Sequence, residues 1–239
     1  MYASSPLLFK DVLRLARDIA SRPGIVISRE LYKSLVPKEL ISEDESYLAS
    51  VLTLEQMLSL RIVNIKMLAQ LAIKLGRAKR IRYQPLRGVP LSDPIYAYVQ
   101  KRDDDVVVVY NADYDIYWRR FAIIKELLQI ISGTCEGGTS DAHDLIQHAM
   151  RSRELEIEEG MPLDDETVGL VLALEVCFPW LLRGQYLKLR EKGVWSIRHI
   201  AIAFLMPEPI TGEFVGDISD EQTYAGKSHK VNSDLDANA

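Results

Sequence analysis

From Arg119 to Ile131 the chain reads Arg-Arg-Phe-Ala-Ile-Ile-Lys-Glu-Leu-Leu-Gln-Ile-Ile, and this run constrains the fold more than any other. Its apolar residues require a helix that the rest of the molecule must cover. In the middle of that helix stand Lys125, Glu126 and Gln129. Lys125 and Gln129 are four apart and therefore share a face. An unpaired Glu126 in an apolar pocket would be costly, so the fold must bring it a partner.

The layout is that of a zinc-peptidase H-E-x-x-H helix without the zinc ligands. In a working helix the two histidines hold the metal and the glutamate between them is the general base. Glu126 occupies the base position. The histidine positions hold Lys125, a cation with no lone pair, and Gln129, whose amide oxygen is a poor zinc ligand.

The surroundings carry a wider likeness. A charged turn, Lys101 to Asp105, leads to the β-branched run Val106 to Val109, then to Tyr110-Asn111, a short polar loop and the Arg119-Arg120-Phe121 start of the helix. Downstream come Leu174-Glu175-Val176-Cys177-Phe178-Pro179-Trp180-Leu181-Leu182-Arg183 and then Ile200-Ala201-Ile202-Ala203-Phe204-Leu205-Met206-Pro207. The first block resembles the "I-x-Y/V-N … R-x-R-F-T-x-A-H-E-x-x-H" pattern of the ImmA/IrrE family of zinc metallopeptidases. The second is similar to that family's "E-A-N-x-F-A-A-x-L-L-M-P" helix, and the third to its closing "L-A-x-x-F-x-V-P" segment. The resemblance covers the middle of the chain, from about Leu60 to about Pro209, and implies an α+β, zincin-like fold.

The family's chemistry does not follow the resemblance. With Leu181-Leu182 matched to the family's paired leucines, the third-ligand glutamate falls at Ala173. Glu175 is two residues further on, roughly 200° round a helix. The relic site is therefore Lys125, Glu126, Gln129, Ala173 and Glu175, with the base retained and all three ligands gone. For Lys125 two readings stand open: it snorkels to the helix edge, or its ammonium fills the vacated metal position and satisfies carboxylates there. Because adjacent helical residues do not face each other, its partner is expected elsewhere, with Glu175 and Glu166 the candidates by sequence order.

Composition sets the outer limits. A chain of 239 residues, 48% hydrophobic, can bury one good-sized core. A formal net charge of -5 argues against a nucleic-acid binder without excluding a local basic site. Cys135 and Cys177 are too few for a disulfide framework and read as reduced thiols of a cytoplasmic protein. No run approaches the roughly 20 apolar residues of a membrane span.

The expected organisation is an N-terminal helical segment over 1–60, an α+β domain over 61–211 and an unordered tail over 212–239. Helices are expected from Leu7 up to the Arg22-Pro23-Gly24 stop, from Ser42 to about Leu60, from Val63 to Leu75 and around Ile116 to Ile131. Others are expected from Thr139 to about Glu154, with Ser140 or Asp141 at its start, from Thr167 to about Arg190 with a kink at Pro179, and from Trp195 to Leu205. Arg80–Gln84, Ile95–Val99 and Val106–Tyr110 are expected to form a small antiparallel sheet packed on the Glu126 helix. The fold class is thus α+β and mainly helical.

Other candidates have plain readings beside functional ones. Asp144 and His148, four apart with His143 nearby, could bind metal, but such pairs are common on solvated helices. His199 reads as a surface or satisfied residue. Lys74, Arg77, Lys79, Arg80, Arg82 and Arg87, with Tyr83 among them, could grip phosphates. The plainer reading makes the arginines the wet face of a half-buried strand while Ile81 and Tyr83 face the core. Arg119 and Arg120 are expected to pair with acids such as Asp113 or Asp115.

The sequence thus points to a catalytically degenerate relative of the metallopeptidases, without a cofactor, that binds another protein in a regulatory role. The family's ties to phage, mobile-element and stress regulation imply that role. Two alternatives stay open: an active metallopeptidase with zinc on unusual ligands such as Glu126 with Asp144, His148 or Glu175, and a DNA-binding regulator.

Overall fold

The computed structural model describes residues 8–35, 60–88, 95–102, 105–134, 140–141 and 163–214. Its first helix, α1 (Phe9–Ser21), buries Val12, Ala16 and Ile19, spaced so that they form one stripe. Asp18 receives Arg22 across one turn at 2.7 Å, and the chain then turns through Gly24, at φ 82°. Beyond it stand two elements that the residue pattern does not announce. Strand β1 (Val26–Ser28) pairs antiparallel with β2 (Arg61–Val63), and α2 (Arg29–Leu35) follows β1 directly. The expected Ser42–Leu60 helix lies outside the described residues, apart from Leu60.

Val63, expected to open a helix, belongs to β2. The reason is Asn64, whose side-chain oxygen accepts from the backbone of Lys66 at 3.1 Å and Met67 at 3.4 Å. This cap fixes the start of α3 (Ile65–Lys74) one residue later. Gly76, at φ 71°, turns the chain after it.

All three expected central strands form: β3 (Arg80–Leu86), β4 (Ile95–Arg102) and β5 (Asp105–Asn111). The sheet is mixed rather than wholly antiparallel. β5 lies between β4, to which it is antiparallel, and β3, to which it is parallel, with Arg80 opposite Asp105 and Leu86 opposite Asn111. β4 is therefore not β3's neighbour, although it follows it in the chain. Beyond β4 lies β6 (Ser140–Asp141), so these two residues extend the sheet instead of starting a helix.

Helix α4 (Ile116–Ser132) packs on β4 and β5 and against α3. Asp115 caps its start by accepting from Trp118 N–H at 3.0 Å, and Gly133 ends it in the left-handed conformation. Tyr96 of β4 stacks on Tyr114 with ring centroids 4.1 Å apart and lies 4.5 Å from Trp118, which fixes the start of α4 over the sheet. Helix α5 (Asp165–Cys177) packs on α4 and on α1.

The single kinked helix expected from Thr167 to Arg190 is two helices. Pro179 lacks an N–H and pushes the residue before it out of helical geometry, so α5 stops and α6 (Trp180–Glu191) leaves at 71°. Helix α7 (Ile197–Phe204) has a reciprocal cap: Ser196 Oγ accepts from His199 N–H at 3.2 Å, and Ser196 N–H donates to His199 Nδ1 at 2.8 Å. A further short helix, α8 (Glu208–Phe214), was not expected.

The architecture is α+β and mainly helical. Val12, Ala16 and Ile19 of α1 join the same hydrophobic core as Phe121, Leu127 and Leu128 of α4 and Leu170, Leu172 and Leu174 of α5. Arg29, buried, donates to the carbonyls of Ile202 at 3.0 Å and Ala203 at 2.8 Å, so the N-terminal third supplies the cation at the C-terminal end of α7.

Candidate functional site

On α4 nearly every side chain from Phe121 to Ile131 is buried, polar ones included. Lys125 is 1% exposed and Glu126 2%. That removes the snorkelling reading, because the ammonium does not reach water. Lys125 Nζ instead donates to Glu126 Oε1 at 2.9 Å and to Glu166 Oε1. Gln129 Nε2 donates to the other oxygen of Glu166, Oε2, at 2.9 Å and to the Asp165 carbonyl at 3.0 Å.

The expectation that Lys125 finds its partner away from its own neighbour is therefore half corrected. Glu166 is such a partner, but so is Glu126. Cβ vectors of adjacent helical residues diverge by about 100°, yet the long stems of lysine and glutamate are flexible enough for their tips to converge. Glu175, the other partner that sequence order offered, receives Arg183 Nη2 at 2.6 Å. Arg183 is buried and also donates to the Phe178 carbonyl at 3.0 Å, so it clamps the break between α5 and α6.

Glu166 reaches the cluster because α5 starts beside it. Asp164 caps α5 by accepting from Thr167 N–H at 2.7 Å, which places Glu166 in the first turn, where the helix dipole favours a carboxylate. Helices α4 and α5 come unusually close at Gly169: a Cβ there would lie 2.4 Å from Gln129 Cγ. Ala173, fully buried, is one turn beyond Gly169 on the helix that packs against α4. The paired leucines belong to another helix, since Leu182 follows the Pro179 break in α6.

Burial pushes Lys125 down, but the carboxylates of Glu126 and Glu166 outweigh it, so its pKa rises and the ammonium persists. Burial pushes Glu126 up, with Lys125 opposing and Glu166 adding to the rise. Chemically the cluster is one cation shared by two carboxylates. Both oxygens of Glu166 and one of Glu126 already accept bonds. The groups that could ligate a metal are held by an ammonium and an amide. Among the described residues no three His, Cys, Asp or Glu side chains gather as a metal site requires. Asp144, His143, His148 and Cys135 lie outside the described residues.

The remaining candidates separate. His199 is the capping partner of Ser196, and its Nδ1 accepts a hydrogen bond, so the ring is neutral there. Arg119 and Arg120 do not pair with the carboxylates of Asp113 or Asp115, which bind the N–H of Gly88 at 2.6 Å and of Trp118. Arg119 Nε donates to the Asp115 carbonyl at 3.4 Å. Arg120 is buried, donates to Tyr32 Oη at 3.1 Å and to the Val63 carbonyl, and lies over the Tyr32 ring. Its Nε has no partner among the described residues, and burial lowers its pKa. Sequence reasoning missed the buried roles of Arg29, Arg120 and Arg183, since nothing in a local pattern marks an arginine that will reach a distant carbonyl. Burial pushes the Cys177 thiol up to about 12 against the pull of Arg120, which leaves almost no thiolate at neutral pH.

In the basic stretch, Arg80 and Arg82 are exposed, and Arg82 pairs with Asp105. Arg77 lies against Gly133 at the C-terminal end of α4. Ile81 is partly buried against the core, as expected, but Tyr83 is 41% exposed because β3 is an edge strand.

No family model, no curated protein and no solved structure matches this chain. Among the described residues no single helix is long and apolar enough to cross a membrane.

Proposed function

We propose that the chain is a catalytically degenerate, ImmA/IrrE-like metallopeptidase relative that serves as a regulatory, protein-binding module. One observation carries the reading: the side chains at the two ligand positions and the base position of the H-E-x-x-H layout are buried and, with the partly exposed Glu166, form an ion-pair cluster. Lys125 Nζ lies 2.9 Å from Glu126 Oε1. A base works by taking a proton from a polarised water, whereas this carboxylate is engaged by an ammonium. The packing of α4 between the sheet and α5 supports the zincin-like reading of the scaffold.

Retaining an acid and a lysine in a core is costly unless they are paired, and here Lys125 pairs with the buried Glu126 and with the partly exposed Glu166. The scaffold then has surface to offer rather than chemistry. The test is hydrolysis of protein and peptide substrates with added zinc and with chelator. The reading predicts no chelator-sensitive cleavage and no difference between wild type and Glu126→Gln. Cleavage that zinc restores and Glu126→Gln abolishes, in a folded variant, overturns it.

A further inference from the structure

The exposed edge of β3 offers a recognition surface that is separate from the α4 cluster and does not depend on the metallopeptidase resemblance. Between Arg61 and Gly88 the sequence has eight Lys and Arg and no Asp or Glu, within a chain whose formal net charge is -5. Two of the eight, Arg80 and Arg82, stand on an edge strand, with Lys79 and Arg87 next to it in the chain: among the described residues β3 pairs only with β5. The direction of its backbone groups follows from one bond. Ala112 N–H donates to the Leu86 carbonyl at 2.8 Å, so Leu86 faces β5, and by the two-residue period so do Gln84 and Arg82. Ile81, Tyr83 and Pro85 therefore turn their backbone polar groups outward. Pro85, with no N–H to offer, is tolerated at such a position and ends the row of outward donors.

The side chains alternate in the same way. Ile81 is level with Val106 and Tyr83 with Val108, and both valines belong to the core that α4 covers. Arg80 and Arg82 stand on the opposite face, where Arg82 already holds Asp105 of the neighbouring strand. A strand added outside β3 would set its own side chains beside these. Apolar residues would lie next to Ile81 and Tyr83, and carboxylates next to Arg80 and Arg82. A second copy of β3 would bring arginine against arginine, so the features that block self-association select an acidic strand.

We propose that the β3 edge binds an extended acidic segment of a partner protein, alternating carboxylate and apolar residues, as an added antiparallel strand. In that arrangement the partner's apolar residues stand opposite Ile81 and Tyr83 and exchange both main-chain bonds with them. Its acidic residues turn their main-chain groups to solvent.

The probe is a synthetic peptide, acetyl-Glu-Leu-Glu-Ile-Glu-Leu-amide, titrated calorimetrically against the full chain at low salt. The chain itself contains Glu154-Leu155-Glu156-Ile157-Glu158, a stretch of the same pattern that could compete, so the Glu154→Gln/Glu156→Gln/Glu158→Gln variant is titrated in parallel. Saturable binding to either host is expected, weakened about tenfold or more by Arg80→Glu/Arg82→Glu. The peptide variants leave the protein untouched and decide the geometry. N-methylation at the apolar residues abolishes binding, and N-methylation at the glutamates is tolerated. No binding to either host, equal binding of both N-methylated peptides, or binding of a DNA duplex without binding of the peptide each overturns the proposal.

Discussion

Removing Lys125 is the sharpest perturbation of the buried cluster. In Lys125→Met the stem is replaced by an apolar chain of similar length, while Glu126 and Glu166 lose the ammonium that bonds both. At the 2.9 Å separation from Glu126, and with an effective dielectric of about 20, the gross attraction is about 6 kcal/mol. Much of that repays the desolvation of the two ions, and taking away one partner of such a pair costs about 3–5 kcal/mol. The pH dependence has a definite sign. Glu126 is already raised in the folded wild type, so its contribution to stability is full below its unfolded value and is lost as pH rises through its folded value. Without Lys125 the rise is larger, and folding takes up protons that the unfolded chain releases. The variant therefore recovers stability relative to wild type as pH falls from 7 towards 5, by up to about 1.4 kcal/mol per pH unit for each proton taken up. Urea unfolding of both proteins at several pH values measures this directly. A loss below about 1 kcal/mol that does not change with pH would refute the claim that the ammonium holds the two carboxylates.

Three further outcomes follow from the geometry. Glu126→Gln keeps an acceptor for Lys125 and relieves a carboxylate that burial disfavours, so its urea midpoint should correspond to a change within about 1–2 kcal/mol; a loss of 4 kcal/mol or more would mean that the ionised group itself holds the core. Gly169→Ala places a methyl where Gln129 Cγ would be 2.4 Å away, which should cost about 1–3 kcal/mol, and Gln129→Ala should restore part of it in a double-mutant cycle; an additive cycle contradicts the close approach of α4 and α5. His199, lowered by burial and by Arg198, contributes its cap fully above its unfolded value near 6.5 and loses it as pH falls through the lower folded value; an NMR titration midpoint above about 6.5 would reverse the assignment of its neutral, accepting Nδ1.

Much of this was legible because periodicity reports the side chains that must be hidden. The Phe121 to Ile131 run announced a covered helix, and the alternating Arg80 to Tyr83 announced a strand with one wet face. What escaped lies in contacts that no local pattern carries. Val63 changed from helix to strand because Asn64 caps one residue later, and the parallel pairing of β3 with β5 depends on where the chain after β3 places β4. Pro179 announced a kink but not that α6 would leave as a separate helix. At the candidate site the partnership of Lys125 with Glu166, one of two acids that chain order offered, was readable from residue types and chain order. The bond from Lys125 to its neighbour Glu126 was not, because an argument from Cβ directions ignores how far two flexible stems can bend. The buried arginines 29, 120 and 183 were invisible for a related reason: their partners are mostly main-chain carbonyls, which every residue has.

The central claim is that this cluster stands where the related layout would hold zinc and is satisfied by an ammonium in its place. Its most direct test is zinc stoichiometry, measured by elemental analysis after equilibration with excess zinc and removal of loosely bound ions, on wild type and on Lys125→His/Gln129→His/Ala173→Glu. The account predicts no stoichiometric zinc on the wild type and about one per chain on the variant that restores the three ligand types. One zinc per wild-type chain, lost on Glu126→Gln, would contradict it.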